Sequence, residues 1–260
     1  MKIATFNVNS INTRLPRALD WIERAKPDAV VFQELKCVDE KFPASEFEDL
    51  GYNVAVHGQK TYNGVALLSK HPIDDLKKGL PGDKDDEQAR YIEALICPDK
   101  AAPVRLCGLY APNGNPAPGP KFDYKLKWLE RLKKHAKKLL ANEEAFILAG
   151  DFNVIPQAED VYDPKGWKDD ALFRPDSRAA FREILNLGLL DAIRQEDPKS
   201  TLYTFWDYQR GAWEKDHGLR IDHLLLSPQA ADRFKKAGID RAERGKEKPS
   251  DHVPVWVELR

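Results

Sequence analysis

An α/β layered domain is the fold class this sequence predicts, on two observations. Short apolar runs of strand length recur along the chain, and amphipathic stretches of helical period lie between some of them. The first run, Lys2–Phe6, is short and continuous and reads as a buried strand. RLPRALDWIERA follows, a helix with Leu15, Leu19 and Ile22 on one face. Asp28–Phe32, Val65–Leu68 and Val104–Leu109 are apolar, strand-length segments. FDYKLKWLERLKKHAKKLL aligns Phe122, Leu126, Leu129, Leu132 and Leu139 along a second helix. Ala145–Ala149 is another strand, and SRAAFREILNLGLL a third helix carrying Phe181, Ile184 and Leu185. Ile221–Leu226 and Val253–Leu259 complete the set. The Pro- and Gly-rich loops, APNGNPAPGP and the stretch from Gln157 to Gly166, are flanked by core-like segments without a shift in composition. One large domain over residues 1–260 is therefore expected.

With 42% hydrophobic and 32% charged residues, the chain is that of a globular protein, not a disordered one. A formal net charge of -1 provides no global field for a polyanion, so nucleic-acid binding would rest on local patches. Cys37, Cys97 and Cys107 form no CxxC pair, which argues against a zinc site or a disulfide scaffold and for a reducing compartment. The start KIATFNV lacks the pattern of a signal peptide, and no apolar run approaches the roughly 20 residues that cross a bilayer. The expected location is the cytoplasm, away from membranes, with a monomer as the default state.

Polar residues stand at the tips of the strands. Asn7 ends the first, Glu34 follows the second, Tyr110 ends VRLCGLY, Asp151 ends AFILAG, and Asp251 and His252 precede the last. A carboxylate after a strand is commonly a cap or turn residue, but several such tips together point to a site. If the extended chain continues past Asp151, Asn153 faces the same cavity two residues on. Asn7, Glu34 and Asp251 offer hard oxygen ligands in the small number that suits Mg²⁺, with Mn²⁺ as a substitute. His252 is better suited to a phosphate, with Asp222 to orient its ring; the structural alternative for Asp222 is an ion pair with Arg220. His57, His71, His135, His217 and His223 lack metal-ligand spacing and read as surface or packing residues. Without GxGxxG, Walker or GxSxG motifs, no nucleotide cofactor or serine nucleophile is indicated.

FNVNSIN, QELK, NGVAL, LYAPNGN, GDFNV, YTFWDYQRGAWEKDHGLRIDHLL and KPSDHVPVW together resemble, in order and spacing, the exonuclease III family of DNA-repair nucleases, which includes class II abasic-site endonucleases. That family lies within the deoxyribonuclease I-like phosphodiesterase superfamily. The resemblance runs nearly end to end. It implies a four-layer α/β sandwich of two packed mixed β-sheets with helices outside, and an active site where strand tips of both sheets meet.

Carried over residue by residue, the resemblance makes Glu34 the main Mg²⁺ ligand, with Asn7 and Asp251 nearby. Asp151 then positions and deprotonates water, Asn153 assists it, and His252 with Asp222 binds the phosphate. Tyr110 and Asn113 contact the scissile phosphate or the departing oxygen. Phe205, Trp206 and Leu219 surround a base-less sugar or frayed 3′ nucleotide, and Arg90 and Lys121 meet backbone phosphates of duplex DNA. The face of the second helix with Lys125, Arg131, Lys133, Lys134 and Lys137 is either a further DNA contact or, the better reading, solvated. The implied activities are incision 5′ to abasic sites, 3′-phosphodiesterase and 3′ to 5′ exonuclease in base excision repair. A superfamily relative acting on phosphoinositide or sphingomyelin headgroups is the alternative, and a non-catalytic DNA-binding descendant a third. One departure stands out: GWKDDALF places Trp167 and Leu172 where small residues suit abasic sites, so trimming of 3′ ends is expected at least to match incision.

Overall fold

The computed structural model describes residues 1–199 and 201–260. Its strands are β1 (Lys2–Asn7), β2 (Ala29–Gln33), β3 (Asn53–His57), β4 (Val65–Ser69), β5 (Ile73–Lys78), β6 (Tyr91–Ile96), β7 (Val104–Tyr110), β8 (Phe146–Asp151), β9 (Leu190–Asp191), β10 (Asp222–Leu226), β11 (Phe234–Ile239) and β12 (Val255–Leu259). The helices are α1 (Ile11–Ala25), α2 (Ala44–Glu48), α3 (Pro120–Leu140), α4 (Pro175–Leu185), α5 (Ala192–Glu196) and α6 (Pro228–Ala231). Two six-stranded sheets form, in the orders β11-β12-β1-β2-β4-β3 and β5-β6-β7-β8-β10-β9. Each is mixed, parallel at β1/β2 and at β7/β8 and antiparallel elsewhere.

Alternation along the strands builds the layers. Ile3, Val31 and Leu67 of one sheet meet Leu106, Ile147 and Leu224 of the other in a shared core. The opposite faces carry Phe6, Val30 and Phe32, which pack with Trp21 of α1, and Leu109 and Leu148, which pack with Trp128 and Leu132 of α3 and Phe181 of α4. This is the four-layer arrangement that the resemblance implies.

Every strand expected from an apolar run is present, with shifted ends. Pro254 delays β12 to Val255, and β8 runs on through Gly150 and Asp151. Three of the five strands not expected from such a run, β5, β6 and β11, have clear physical reasons for lacking it. β5 and β11 are sheet edges, rich in exposed charge that blunts edge-to-edge pairing. β6 has its apolar run interrupted by Glu93, fully buried under α3.

Glu93 accepts from Tyr91 Oη at 2.7 Å, Arg105 Nη1 at 3.2 Å and Lys77 Nζ at 3.2 Å, and pairs with His135 Nε2 at 2.5 Å. Burial pushes its carboxyl upward, but the bonds and charges of His135, Tyr91 and Lys77 outweigh that and bring its pKa down to about 2. A depressed acid contributes stability above its unfolded pKa of about 4.3 and loses it as pH falls towards the folded value. Glu93→Gln, which removes the carboxylate bonded by Tyr91 and His135 and one of the three that hold Arg105, is expected to cost about 1–3 kcal/mol in urea unfolding at neutral pH. The gap to the native protein should narrow as pH falls from about 4.3 towards 2.

Candidate active site

Parallel pairing of β1 with β2 and of β7 with β8 brings four strand tips to one end of the sandwich. Asn7 and Glu34 emerge from the first pair. Tyr110 and Asp151 emerge from the second, directly opposite each other in register. The antiparallel β10 enters there with Asp222 opposite Asp151. His252 arrives in the segment before β12, bridged to Phe205.

The centre is tightly hydrogen-bonded. Asn7, fully buried, donates from Nδ2 to Glu34 Oε1 at 2.9 Å and to Asp151 Oδ2 at 3.0 Å. Its Oδ1 accepts the Asn9 amide at 3.0 Å, which fixes the orientation of the side chain. Asn7 thus presents an N–H, rather than the oxygen expected of a metal ligand, to the two carboxylates. Asn9 Nδ2 in turn donates to Asp251 Oδ1 at 3.0 Å, and Lys36 Nζ lies 2.9 Å from Glu34 Oε2. His252 Nδ1 donates to Asp222 Oδ2 at 2.9 Å, and Thr204 Oγ1 donates to the same oxygen at 2.6 Å. Arg220 is not the partner of Asp222: it binds Asp160 and Asp191. Across the centre His252 Nε2 lies 3.7 Å from Asp151 Oδ2.

Asp151 and Asn153 come together by a different route from strand alternation. β8 ends at Asp151, and Asn153 turns into the left-handed region at φ 49°, its amide bonding Asp151 Oδ1 at 2.8 Å. Its side chain donates to Ala111 O at 2.9 Å and accepts from Asn113 Nδ2 at 3.3 Å. The glycine of GDFN is required by close approach, since a Cβ on Gly150 would sit 1.9 Å from Leu109 O. Glu34, Lys36 and Asn9 are also left-handed, at φ 53°, 55° and 44°. For Glu34 and Lys36, which lack the local tolerance of Asn, such backbone costs on the order of 1–3 kcal/mol each, and this type of strain clusters at functional sites.

Burial raises the Asp151 pKa, and the Asp222 and Glu34 charges add to the rise against the pull of His252. Burial disfavours the His252 imidazolium, but Asp222 and Asp151 outweigh it and lift its pKa above the ordinary value. Glu34 is lowered: desolvation opposes this, and Lys36, His252 and the Asn7 bond prevail. The Tyr110 phenol is raised by burial and by the Glu34 and Asp151 charges, which keeps it protonated. Ligand atoms of Glu34, Asp151 and His252 all lie within 4.8 Å of one another. Two converging carboxylates, one of them buried with its negative charge disfavoured, match a hard divalent cation.

These groups open into a cavity of about 570 Å³. Glu34, Asp151, Asp251 and His252 form its polar floor, and Phe205, Leu219, Leu172 and Trp167 its apolar side. Asn113 lines it too, whereas Arg90 stacks its guanidinium 4.9 Å from the Tyr110 ring and Lys121 is exposed at the start of α3.

Two further expectations are corrected. Trp206 does not line the cavity. Fully buried, it donates Nε1 to Asp216 at 2.9 Å and packs edge-on against Trp213. Nor is the cationic face of α3 a continuous solvated stripe, because Lys125 is buried and Arg131 is held by Asp86 and Leu80 O. Asn115, Tyr162 and Asp170, not singled out in the sequence, and His217, read there as a surface or packing residue, all line the cavity, with Tyr162 stacked flat on His217 at 4.3 Å. Two of them carried a signal in their position, Asn115 at the end of LYAPNGN and His217 just before GLRID.

A model of the Endonuclease/Exonuclease/phosphatase family matches residues 4–252. The chain belongs to this family. Within it, exodeoxyribonuclease III of Haemophilus influenzae is 33% identical, with 100% of both chains covered. An AP endonuclease from Archaeoglobus fulgidus superposes with a TM-score of 0.94 at 38% identity, over 100% of this chain and 99% of that one. The 3′ phosphatase NExo from Neisseria, bound to product DNA hairpin, gives 0.96 at 39% identity over the same shares.

Proposed function

We propose that this chain is a Mg²⁺-dependent DNA-repair phosphodiesterase that incises duplex DNA 5′ to abasic sites and trims blocked or ordinary 3′ ends, acting as a monomer in the cytoplasm. The carrying observation is the convergence of Glu34, Asp151 and His252 within 4.8 Å beside a cavity with an apolar side. That side, Phe205 and Leu219, suits a deoxyribose without its base. Free thiols at Cys37, Cys97 and Cys107 accord with a reducing compartment, and among the described residues no helix is long and apolar enough to cross a membrane.

In this reading Glu34 holds the cation, with Asp251 at its rim and Asn7 bracing the carboxylates. Bound there, Mg²⁺ supplies positive charge against the phosphoryl and departing oxygens. Asp151, oriented by the Asn153 amide and raised in pKa, takes the proton of the attacking water. The His252 imidazolium, fixed by Asp222, binds a non-bridging oxygen. The protonated Tyr110 hydroxyl donates to the leaving 3′ oxygen, and Asn113 contacts the phosphate. Arg90 and Lys121 hold flanking phosphates on the duplex.

The deciding experiment incubates the protein with a duplex carrying one abasic analogue, in Mg²⁺ and in EDTA. Cleavage on the 5′ side in Mg²⁺ alone is the expected result, and hydrolysis of lipid headgroups in its place would overturn the reading. Leu172, nearly buried, narrows the cavity, so trimming should at least match incision. Leu172→Gly should raise incision relative to trimming several-fold, and an unchanged ratio on the two substrates counts against that role.

A further inference from the structure

Lys125 is fully buried on α3, yet no carboxylate bonds it. Its ammonium donates to three backbone carbonyls: Asn113 O at 3.0 Å, Asn153 O at 2.5 Å and Ala171 O at 2.9 Å. These are all the donors an ammonium has. The three carbonyls belong to three separate segments, and each segment delivers a side chain to the cavity: Asn113, Asn153, and Asp170 with Leu172. Direct bonds also join the segments in pairs, Asn113 to Asn153 at 3.3 Å, Asn153 Nδ2 to Ala111 O at 2.9 Å, Asn115 to both Asp170 oxygens and to the Ala171 amide at 3.1 Å, and the Ile155 amide to Leu172 O at 2.8 Å, whereas the Lys125 ammonium ties all three at one point. Gly114 accommodates the lysine stem, since a Cβ there would lie 2.7 Å from Lys125 Cδ.

A buried cation is a poor choice for stability alone, because an apolar side chain of similar volume is commonly as stable or more so. Its value lies in geometry, as one point charge sets three carbonyls at fixed separations and so fixes the loops that bear them. We propose that Lys125 is a positioning residue, a clasp whose ammonium holds the 113, 153 and 171 segments in the arrangement the active site needs. Its catalytic consequence rests on the nuclease reading above; the clasp itself does not.

The test uses the full chain. In Lys125→Met, which keeps the stem and removes the donors, amide hydrogen exchange over residues 111–115, 152–155 and 170–173 should accelerate at least tenfold, with the remainder little changed. Well below the melting temperature, cleavage of the abasic duplex should fall at least twentyfold in kcat. Lys125→Ala should recover activity saturably with n-propylammonium and not with n-propanol. Exchange within twofold of the native chain in those segments, or equal rescue by amine and alcohol, overturns the clasp. If neither variant folds, exchange in the native chain decides: the protected amides of the three segments should open together with one common opening free energy, and separate opening free energies for the three segments overturn the clasp. A native chain that cuts no DNA would sink the nuclease reading and leave the exchange result to decide on the clasp.

Discussion

Asp151→Asn is expected to lower single-turnover cleavage of an abasic duplex by about 10²–10⁴-fold while folding and DNA binding stay close to native. The amide keeps the size of the carboxylate, and its oxygen retains the bond from the Asn153 amide. Its NH₂ group, now turned towards Asn7 Nδ2, loses the other bond and cannot accept a proton from water. Stability should change little, because the lost bond is offset by removing a buried charge that Asp222 and Glu34 disfavour. Fluorescence anisotropy reads binding, and quenched-flow cleavage reads chemistry. Native turnover by the purified variant would show that some other group activates the water.

Most of the layered fold was legible because it is written in short-range terms. Val30, Val31 and Phe32 form one apolar run whose alternate members serve two different layers. β5 and β11 left no such trace, since an edge strand is selected for charge as much as for burial. In the site, the strand tips Glu34, Asp151 and His252 could be named because each ends or precedes an apolar run. What no local rule carries is the direction of a side chain after the strand stops. Asn153 reaches Asp151 through a left-handed turn, and the ammonium of Lys125 points inward from a helix whose other lysines face solvent. Trp206 and Phe205 are neighbours in one motif, yet only Phe205 reaches the cavity, because the partner that turns Trp206 inward, Trp213, lies on a later loop.

Asp222→Asn is expected to lower kcat by about 10²–10³, the range found when one preorganised charge-stabilising donor is lost, and to do so in a pH-dependent manner. The substitution preserves an oxygen for Thr204 Oγ1 and His252 Nδ1, so the ring should keep its place. What it removes is the charge that, with Asp151, holds the His252 pKa above its ordinary value against the cost of burial. In the native protein the imidazolium therefore persists through neutrality. In the variant burial is opposed by Asp151 and the more distant Asp251, and the pKa falls towards or below about 6.5. The ring then loses its proton as pH rises, and with it the positive charge on the phosphate. The ratio of variant to native rates, measured from pH 5.5 to 9 at fixed Mg²⁺, should accordingly decrease with rising pH. A constant ratio would mean that Asp222 acts only by holding the ring in place, and a ratio that increases with pH would mean that the neutral imidazole is the working form.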